Sequence, residues 1–136
     1  MQNEATIYDP LRRRQVAATP EEQVRQWFIG VLASAAGVPS HLMMSEVPMK
    51  YGAKSWRADI LVYDRNGSPL AVVECKRPDV AVDAVVAAQA MRYNLVLDVK
   101  WLILTNGKTT LVYRRAGDAF EACPELPDYE KMLCQQ

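Results

Sequence analysis

The chain has 136 residues, half of them hydrophobic, and its 16 basic and 16 acidic side chains leave no formal net charge. That suits one globular domain with a single core. It excludes a protein that grips nucleic acid by wholesale phosphate neutralisation, since such proteins are basic, so only weak binding to DNA is expected from this chain alone.

Residues 1–18 read as an N-terminal arm with little periodicity. Its Arg12-Arg13-Arg14 is more simply a solvated charge run than a binding arm. Thr19-Pro20-Glu21-Glu22 is a helix start, with Thr19 at N-cap, Pro20 at N1 and Glu22 closing a capping box. Val24, Phe28, Val31, Leu32 and Ala35 recur at helical spacing until Gly37-Val38-Pro39 stops the helix. On the wheel, Glu21 lies on or near the buried face and Glu22 points away. Strands are predicted over about 42–50, 56–63 and 69–76. Asp64-Arg65-Asn66-Gly67 is a hairpin turn that makes the second and third antiparallel neighbours. Pro78-Asp79 breaks the chain, and a helix over about 82–94 follows. Its broad face carries Val82, Val85, Val86, Gln89, Ala90 and Tyr93. A strand over 99–105, the turn Asn106-Gly107-Lys108 and an edge strand over 109–114 complete a domain spanning 19–115. The tail, 116–136, holds prolines and acidic residues. It reads as a poor core contributor with a short helix near 129–133. This order predicts an α/β (α+β) fold, a small mixed sheet flanked by helices.

Three cysteines without metal-type spacing (Cys75, Cys123, Cys134) and the single histidine, His41, argue against a disulfide scaffold, a zinc site and a Ser-His-Asp triad. No apolar run is long enough to cross a bilayer, and Met1–Ala5 lacks the apolar core of a secretory signal, so a cytoplasmic protein is the expectation.

The chemistry concentrates at Glu74-Cys75-Lys76, where the apolar strand Leu70–Val73 ends in a carboxylate and an ammonium. Residues i and i+2 of a strand share a face, so Glu74 and Lys76 stand side by side. The Asn-Gly hairpin folds Asp59 back toward them. Two or three carboxylates suffice for Mg²⁺, which prefers oxygen and keeps several waters. Asp59 and Glu74 are therefore candidate ligands, with the Cys75 main-chain carbonyl and Glu21 completing the set. Such an ion activates water and stabilises charge in phosphodiester hydrolysis. Lys76, between carboxylates, is read as an electrostatic group before a free base. Gln89 and Tyr93, four apart on one helix face, could reach a phosphate or a metal-bound water. Cys75 reads as a small core residue.

Taken together, Thr19-Pro20-Glu21-Glu22-x-Val24-Arg25-Gln26, Arg57-Ala58-Asp59-Ile60, Val73-Glu74-Cys75-Lys76-Arg77-Pro78, Gln89-Ala90-x-Arg92-Tyr93-Asn94 and Leu104-Thr105-Asn106-Gly107 resemble the N-terminal nuclease domain of type I restriction-enzyme R proteins, within the PD-(D/E)xK nuclease superfamily. The resemblance covers roughly residues 19–113. It implies a restriction-endonuclease-like αβββαβ core and Mg²⁺-dependent DNA cleavage, with Mn²⁺ as a substitute ion. It also implies Asp59, Glu74 and Lys76 as catalytic residues, and Gln89 and Tyr93 as an accessory motif. Which helix glutamate joins them, Glu21 or Glu22, is left open, the wheel favouring Glu21.

The chain carries no Gly-x-x-x-x-Gly-Lys-Ser/Thr loop, so the ATP-driven translocation of full R proteins is not carried over. The neutral charge fits a module relying on other subunits of a restriction or DNA-processing complex, or a homodimer combining two grooves. Two further readings compete: a DNA-binding module of the same fold with little or no cleavage, and an interaction protein whose charges merely cap strands.

Overall fold

The computed structural model describes residues 4–95 and 97–134. A six-stranded mixed sheet forms the centre, in the order β3 (Met43–Tyr51), β4 (Lys54–Tyr63), β5 (Pro69–Cys75), β6 (Trp101–Thr105), β7 (Thr110–Ala116), β8 (Ala119–Cys123). Helix α1 (Pro20–Ser34) precedes β3, and α2 (Ala84–Asn94) crosses from β5 to β6. The β5–β6 pair is therefore parallel while its neighbours are antiparallel. The predicted mixed sheet flanked by helices, and the implied αβββαβ order, are both present.

The local signals explain the elements. The Thr19 side chain accepts the Glu22 N–H at 3.1 Å, Pro20 opens the helix, and Gly37 at φ 70° follows its end. In the β4–β5 hairpin, Asp64 Oδ1 accepts from the N–H groups of Asn66 and Ser68, and Gly67 supplies φ 84°. At the β6–β7 turn Asn106 Oδ1 accepts from Lys108 and Thr109 N–H while its amide donates to the Val80 carbonyl at 2.9 Å.

Both sheet faces are apolar. Val24, Phe28, Ile29 and Leu32 of α1 pack on Ile60, Val62, Ala71, Val73 and Ile103. On the opposite face, Ala90, Val86 and Met91 of α2 pack on Leu61, Val72, Leu102 and Leu104. The buried stripe of α2 runs through Ala87, Ala90 and Asn94. Val85 and Gln89, predicted on its packed face, are exposed, because the helix is rotated to bring its small alanines against the sheet.

One irregularity bears on function. Met43 of β3 packs on the α1 side, yet Val47 and Met49 pack on the α2 side. Along β4, Ile60 and Val62 face α1 whereas Trp56 and Ala58 face α2. Period-2 alternation forbids such a change without a break. The break lies between the pairs Ser45↔Ile60 and Val47↔Ala58, at Glu46 and Asp59, and Glu46 has φ 55°.

The two ends of the chain depart from expectation. Residues of the arm form a hairpin, β1 (Thr6–Asp9) with β2 (Arg14–Ala17). Its polar sequence hides it from periodicity, because charge holds it in place. Asp9 is fully buried, takes the Leu11 N–H, pairs with Arg12 and accepts from Ser45 Oγ at 2.9 Å. At the other end, β8 displaces β7 from the expected edge position. The short helix near 129–133 is present as α3 (Tyr129–Cys134), but the tail does contribute to the core. Tyr129 and Met132 join the α1-side cluster, and the Tyr129 hydroxyl donates to the Tyr63 carbonyl at 2.8 Å.

A candidate acidic site at the split between strands four and five

The β4–β5 register pairs Ile60 with Val73 and Leu61 with Val72. Asp59 and Glu74 are the next residues on the two strands, just beyond the last ladder pair. Here the strands part. Asp59 Oδ2 accepts the Cys75 N–H at 2.7 Å, so a carboxylate takes the place of a ladder carbonyl. Its other oxygen accepts from Arg25 Nη2 of α1 at 2.8 Å. Burial pushes the Asp59 pKa up, against the pull of the Cys75 N–H and of Arg25.

Glu74 and Lys76 stand on the α2 side, as their spacing predicts. They line a cleft of about 240 Å³ with Trp56, Arg57, Val86, Gln89, Ala90 and Tyr93. Gln89 and Tyr93 therefore do share a surface with Glu74 and Lys76. Tyr93 also packs against Trp56 in a tilted pair, ring centres 5.5 Å apart and planes at 42°. Burial raises the Glu74 pKa, opposed by the charge of Lys76 and by a hydrogen bond from the fully buried Asn94. The Cys75 side chain faces the α1 core, and burial, then the Asp59 charge, keeps its thiol protonated. That matches the reading of Cys75 as a core residue.

The glutamates of α1 correct the wheel argument. Glu22, expected to point away, is buried, while the Glu21 side chain is 44% exposed. Glu22 is drawn inward by cations: its Oε1 accepts from Arg12 Nη2 at 2.6 Å and from Arg25 Nη1 at 2.7 Å. The carboxylate is thus taken up in ion pairs, and the expected capping box is closed on the Thr19 side only. Glu21 nonetheless faces the site. Burial and then the Asp59 charge raise its pKa, while Arg25 and Lys76 lower it.

Four residues were not assigned a role from sequence: Arg25, Glu46, Trp56 and Asn94. Arg25 is the hub, bound to Glu22, Asp59 and, at 2.6 Å, Glu46, with Glu21 at 3.9 Å. Burial works against its charge, but Asp59 and the glutamates more than offset this and raise its pKa. Glu46 is also held by Arg57 at 3.0 Å. The available signal was a lone arginine at i+3 and i+4 from two helix glutamates; nothing local marked Glu46.

The donor set is oxygen-only and suits a hard cation retaining water, with Asp59 and Glu74 the two carboxylates at the split. Among the described residues no three His, Cys, Asp or Glu side chains are disposed to hold a metal together. Any ion would therefore rest on two carboxylates, main-chain oxygen and water, and would have to share Asp59 with Arg25.

Comparisons with known proteins agree with this architecture. A fragment provisionally named the HsdR subunit of a type I restriction enzyme from Vibrio vulnificus YJ016 superposes with a TM-score of 0.59 at 22% identity, over 84% of this chain. The chain spans only 25% of that protein's length. A protein from Anabaena variabilis ATCC 29413, provisionally named a nuclease of the DUF820 family, gives 0.52 at 17% identity, over 91% of this chain and 80% of its own. At these identities the likeness establishes the fold. No curated protein matches the sequence. The family of the type I restriction enzyme R protein N terminus matches over residues 20–127, most of the chain, and the chain belongs to that family.

Proposed function

We propose that this chain is a Mg²⁺-dependent deoxyribonuclease domain of the PD-(D/E)xK type, acting on the phosphodiester backbone of DNA. The observation that carries the reading is the convergence of two carboxylates where β4 and β5 part, Asp59 bound to the Cys75 N–H and Glu74 within reach of the Asp59 charge, with Lys76 in the same cleft as Glu74. Asp59, Glu74 and the Cys75 carbonyl would hold the ion, with Glu21 at the rim. A bound Mg²⁺ supplies an activated water and neutralises charge on the attacked phosphate. Lys76 stabilises the negative charge that develops on the phosphate oxygens. Gln89 positions a phosphate oxygen by hydrogen bonding, and Tyr93, fixed against Trp56, forms the wall that orients the strand. Arg25 keeps the Asp59 carboxylate turned toward the split. Such a domain would work in the cytoplasm, on DNA delivered by further subunits of a restriction or DNA-processing complex or by a second copy of the chain.

A second reading has its own support. Both Asp59 oxygens are already engaged. This favours a DNA-binding module of the same fold that cleaves weakly or not at all. Nicking of supercoiled plasmid in Mg²⁺ or Mn²⁺ by wild type and by Glu74→Ala separates the two. Activity in wild type alone supports the nuclease. Equal activity removes Glu74 from the chemistry. Calorimetric titration with Mn²⁺ separates metal competence from simple DNA binding: DNA binding with neither Mn²⁺ binding nor cleavage selects the binding module.

A further inference from the structure

The β3–β4 ladder runs from Met43↔Val62 out to Tyr51↔Lys54, but β4 pairs with β5 only from Ile60 onward. The stretch 54–58, with its partner 47–51, therefore projects past the sheet as a two-stranded ribbon beside α2. Between ribbon and helix lies a second recess of about 350 Å³, lined by Lys54, Ser55, Gln89, Arg92 and Tyr93. Gln89 and Tyr93 also line the cleft of Glu74 and Lys76, so the two recesses adjoin across these side chains.

The charge of this recess differs from that of the acidic split. No carboxylate lines it. Lys54 and Arg92 come from different elements, are exposed, and among the described residues have neither an ion-pair nor a hydrogen-bond partner. Elsewhere on the chain, arginines such as Arg12, Arg25, Arg57 and Arg65 are spent on carboxylates. In a chain with zero net charge, two unspent cations converging on one polar recess beside the candidate site are a specific feature. Tyr51, at the ribbon tip opposite Lys54, is also exposed.

We propose that Lys54 and Arg92 form a phosphate subsite that holds the DNA backbone next to the scissile phosphate, with the β3–β4 ribbon and α2 as the two walls of the track. The proposal rests on the nuclease reading for its substrate. The guanidinium of Arg92 offers a fork matched to phosphate oxygens and Lys54 a point charge. Neither reads a base, so the subsite contributes affinity and register without sequence preference.

Fluorescence anisotropy with a short labelled DNA duplex, in EDTA to suppress cleavage, tests it. Affinity is followed against NaCl concentration for wild type, Lys54→Ala/Arg92→Ala, and the control Arg14→Ala/Lys131→Ala, whose exposed side chains lie on other elements. Removing two phosphate contacts lowers the slope of log K against log salt by about 2, and affinity falls on the order of tenfold at moderate salt, equally for different sequences. The control retains the wild-type slope. Calorimetric Mn²⁺ binding is unchanged in the Lys54/Arg92 variant, which also reports that the fold and the acidic split are intact. Wild-type slope and affinity in that variant, or an equal loss in the control, overturn the subsite while leaving the nuclease reading in place. Absence of duplex binding by wild type overturns the subsite as well, while the nuclease reading, which allows DNA to be delivered by further subunits, is decided separately by the plasmid-nicking assay.

Discussion

Arg25 is the residue whose removal tests the architecture of the site most directly. It is 3% exposed and lies between Glu22, Glu46 and Asp59. Arg25→Met preserves much of the side-chain volume and deletes the charge. Glu21 loses a contact at 3.9 Å, and the three carboxylates bound more closely keep other partners: Glu22 retains Arg12 at 2.6 Å and Gln26 at 3.0 Å, Glu46 retains Arg57 at 3.0 Å, and Asp59 retains the Cys75 N–H at 2.7 Å. Breaking a buried ion pair by removing one partner costs about 3–5 kcal/mol, and the surviving partners place this case near the lower end, at about 3 kcal/mol. Arg25→Lys keeps the charge but loses the fork that serves two carboxylates through separate nitrogens. It should cost on the order of 1.5 kcal/mol, one charge-assisted hydrogen bond. Urea unfolding followed by circular dichroism measures both. The order wild type, Lys, Met is expected, with unchanged denaturant slope. The second readout is Mn²⁺ affinity. If Arg25 and a metal ion share Asp59, the Met variant binds Mn²⁺ at least as tightly as wild type despite its lower stability. Wild-type stability in Arg25→Met would refute the hub. A loss of Mn²⁺ binding with the fold retained would refute the competition.

Other perturbations have definite signs. Glu74 has a folded pKa raised above its ordinary value of 4.5, so its ionisation is penalised in the folded state. That penalty is absent below the unfolded pKa and is incurred as pH rises through the folded one; Glu74→Gln should therefore stabilise the protein near about pH 7, with the gain shrinking toward about pH 5, by urea melts at both. A larger gain for the variant at the lower pH would contradict the burial argument. Met132 is fully buried under the sheet, and Met132→Ala should cost about 2–5 kcal/mol in the same assay; a loss below about 1 kcal/mol would return the tail to the status of an appendage. Glu46→Ala and Glu46→Gly both delete the Arg25 and Arg57 contacts, but only glycine suits φ 55°, so Gly should be the more stable by about 1 kcal/mol.

The sequence made the central elements legible because their signals are local and redundant. Leu70–Val73 is a continuous apolar run buried on both faces, and the turns at Asn66-Gly67 and Asn106-Gly107 carry glycines at positive φ. These fix the hairpin, and the hairpin brings Asp59 back to the end of β5, where it takes the Cys75 N–H. What stayed hidden depends on partners distant in sequence. The first hairpin has only the pair Ile7–Val16 and the turn residue Leu11 as apolar anchors, too few to make a pattern, and is tied down by Asp9 and Arg12 reaching Ser45 and Glu22. Tyr129 and Met132 sit in a tail of prolines and acids, where two isolated anchors make no periodic pattern. The wheel misjudged Glu22 because it ranked faces by apolar content. Burial of that carboxylate follows from Arg12, ten residues upstream in the folded-back arm.

The face change at Glu46 and Asp59 connects these parts. A strand that alternates without interruption would turn Asp59 wholly toward one core, where a carboxylate on the α1 side meets Phe28 and Ile29 and one on the α2 side meets Leu61 and Val72. Either burial is costly without partners. By switching faces at this point, β3 and β4 hold Asp59 at the level of the sheet itself. There one oxygen caps the Cys75 N–H and the other meets Arg25. Glu74 then approaches the same split from the α2 side. The positive φ at Glu46 is the local strain that makes the switch, and the carboxylate of that same residue binds the arginine that steadies Asp59. Backbone strain and the side-chain ion pair that offsets it thus lie in one residue. The site depends on this break in the strands as much as on the Glu74-Cys75-Lys76 triplet, and no strand-period argument applied to either β3 or β4 alone would locate it.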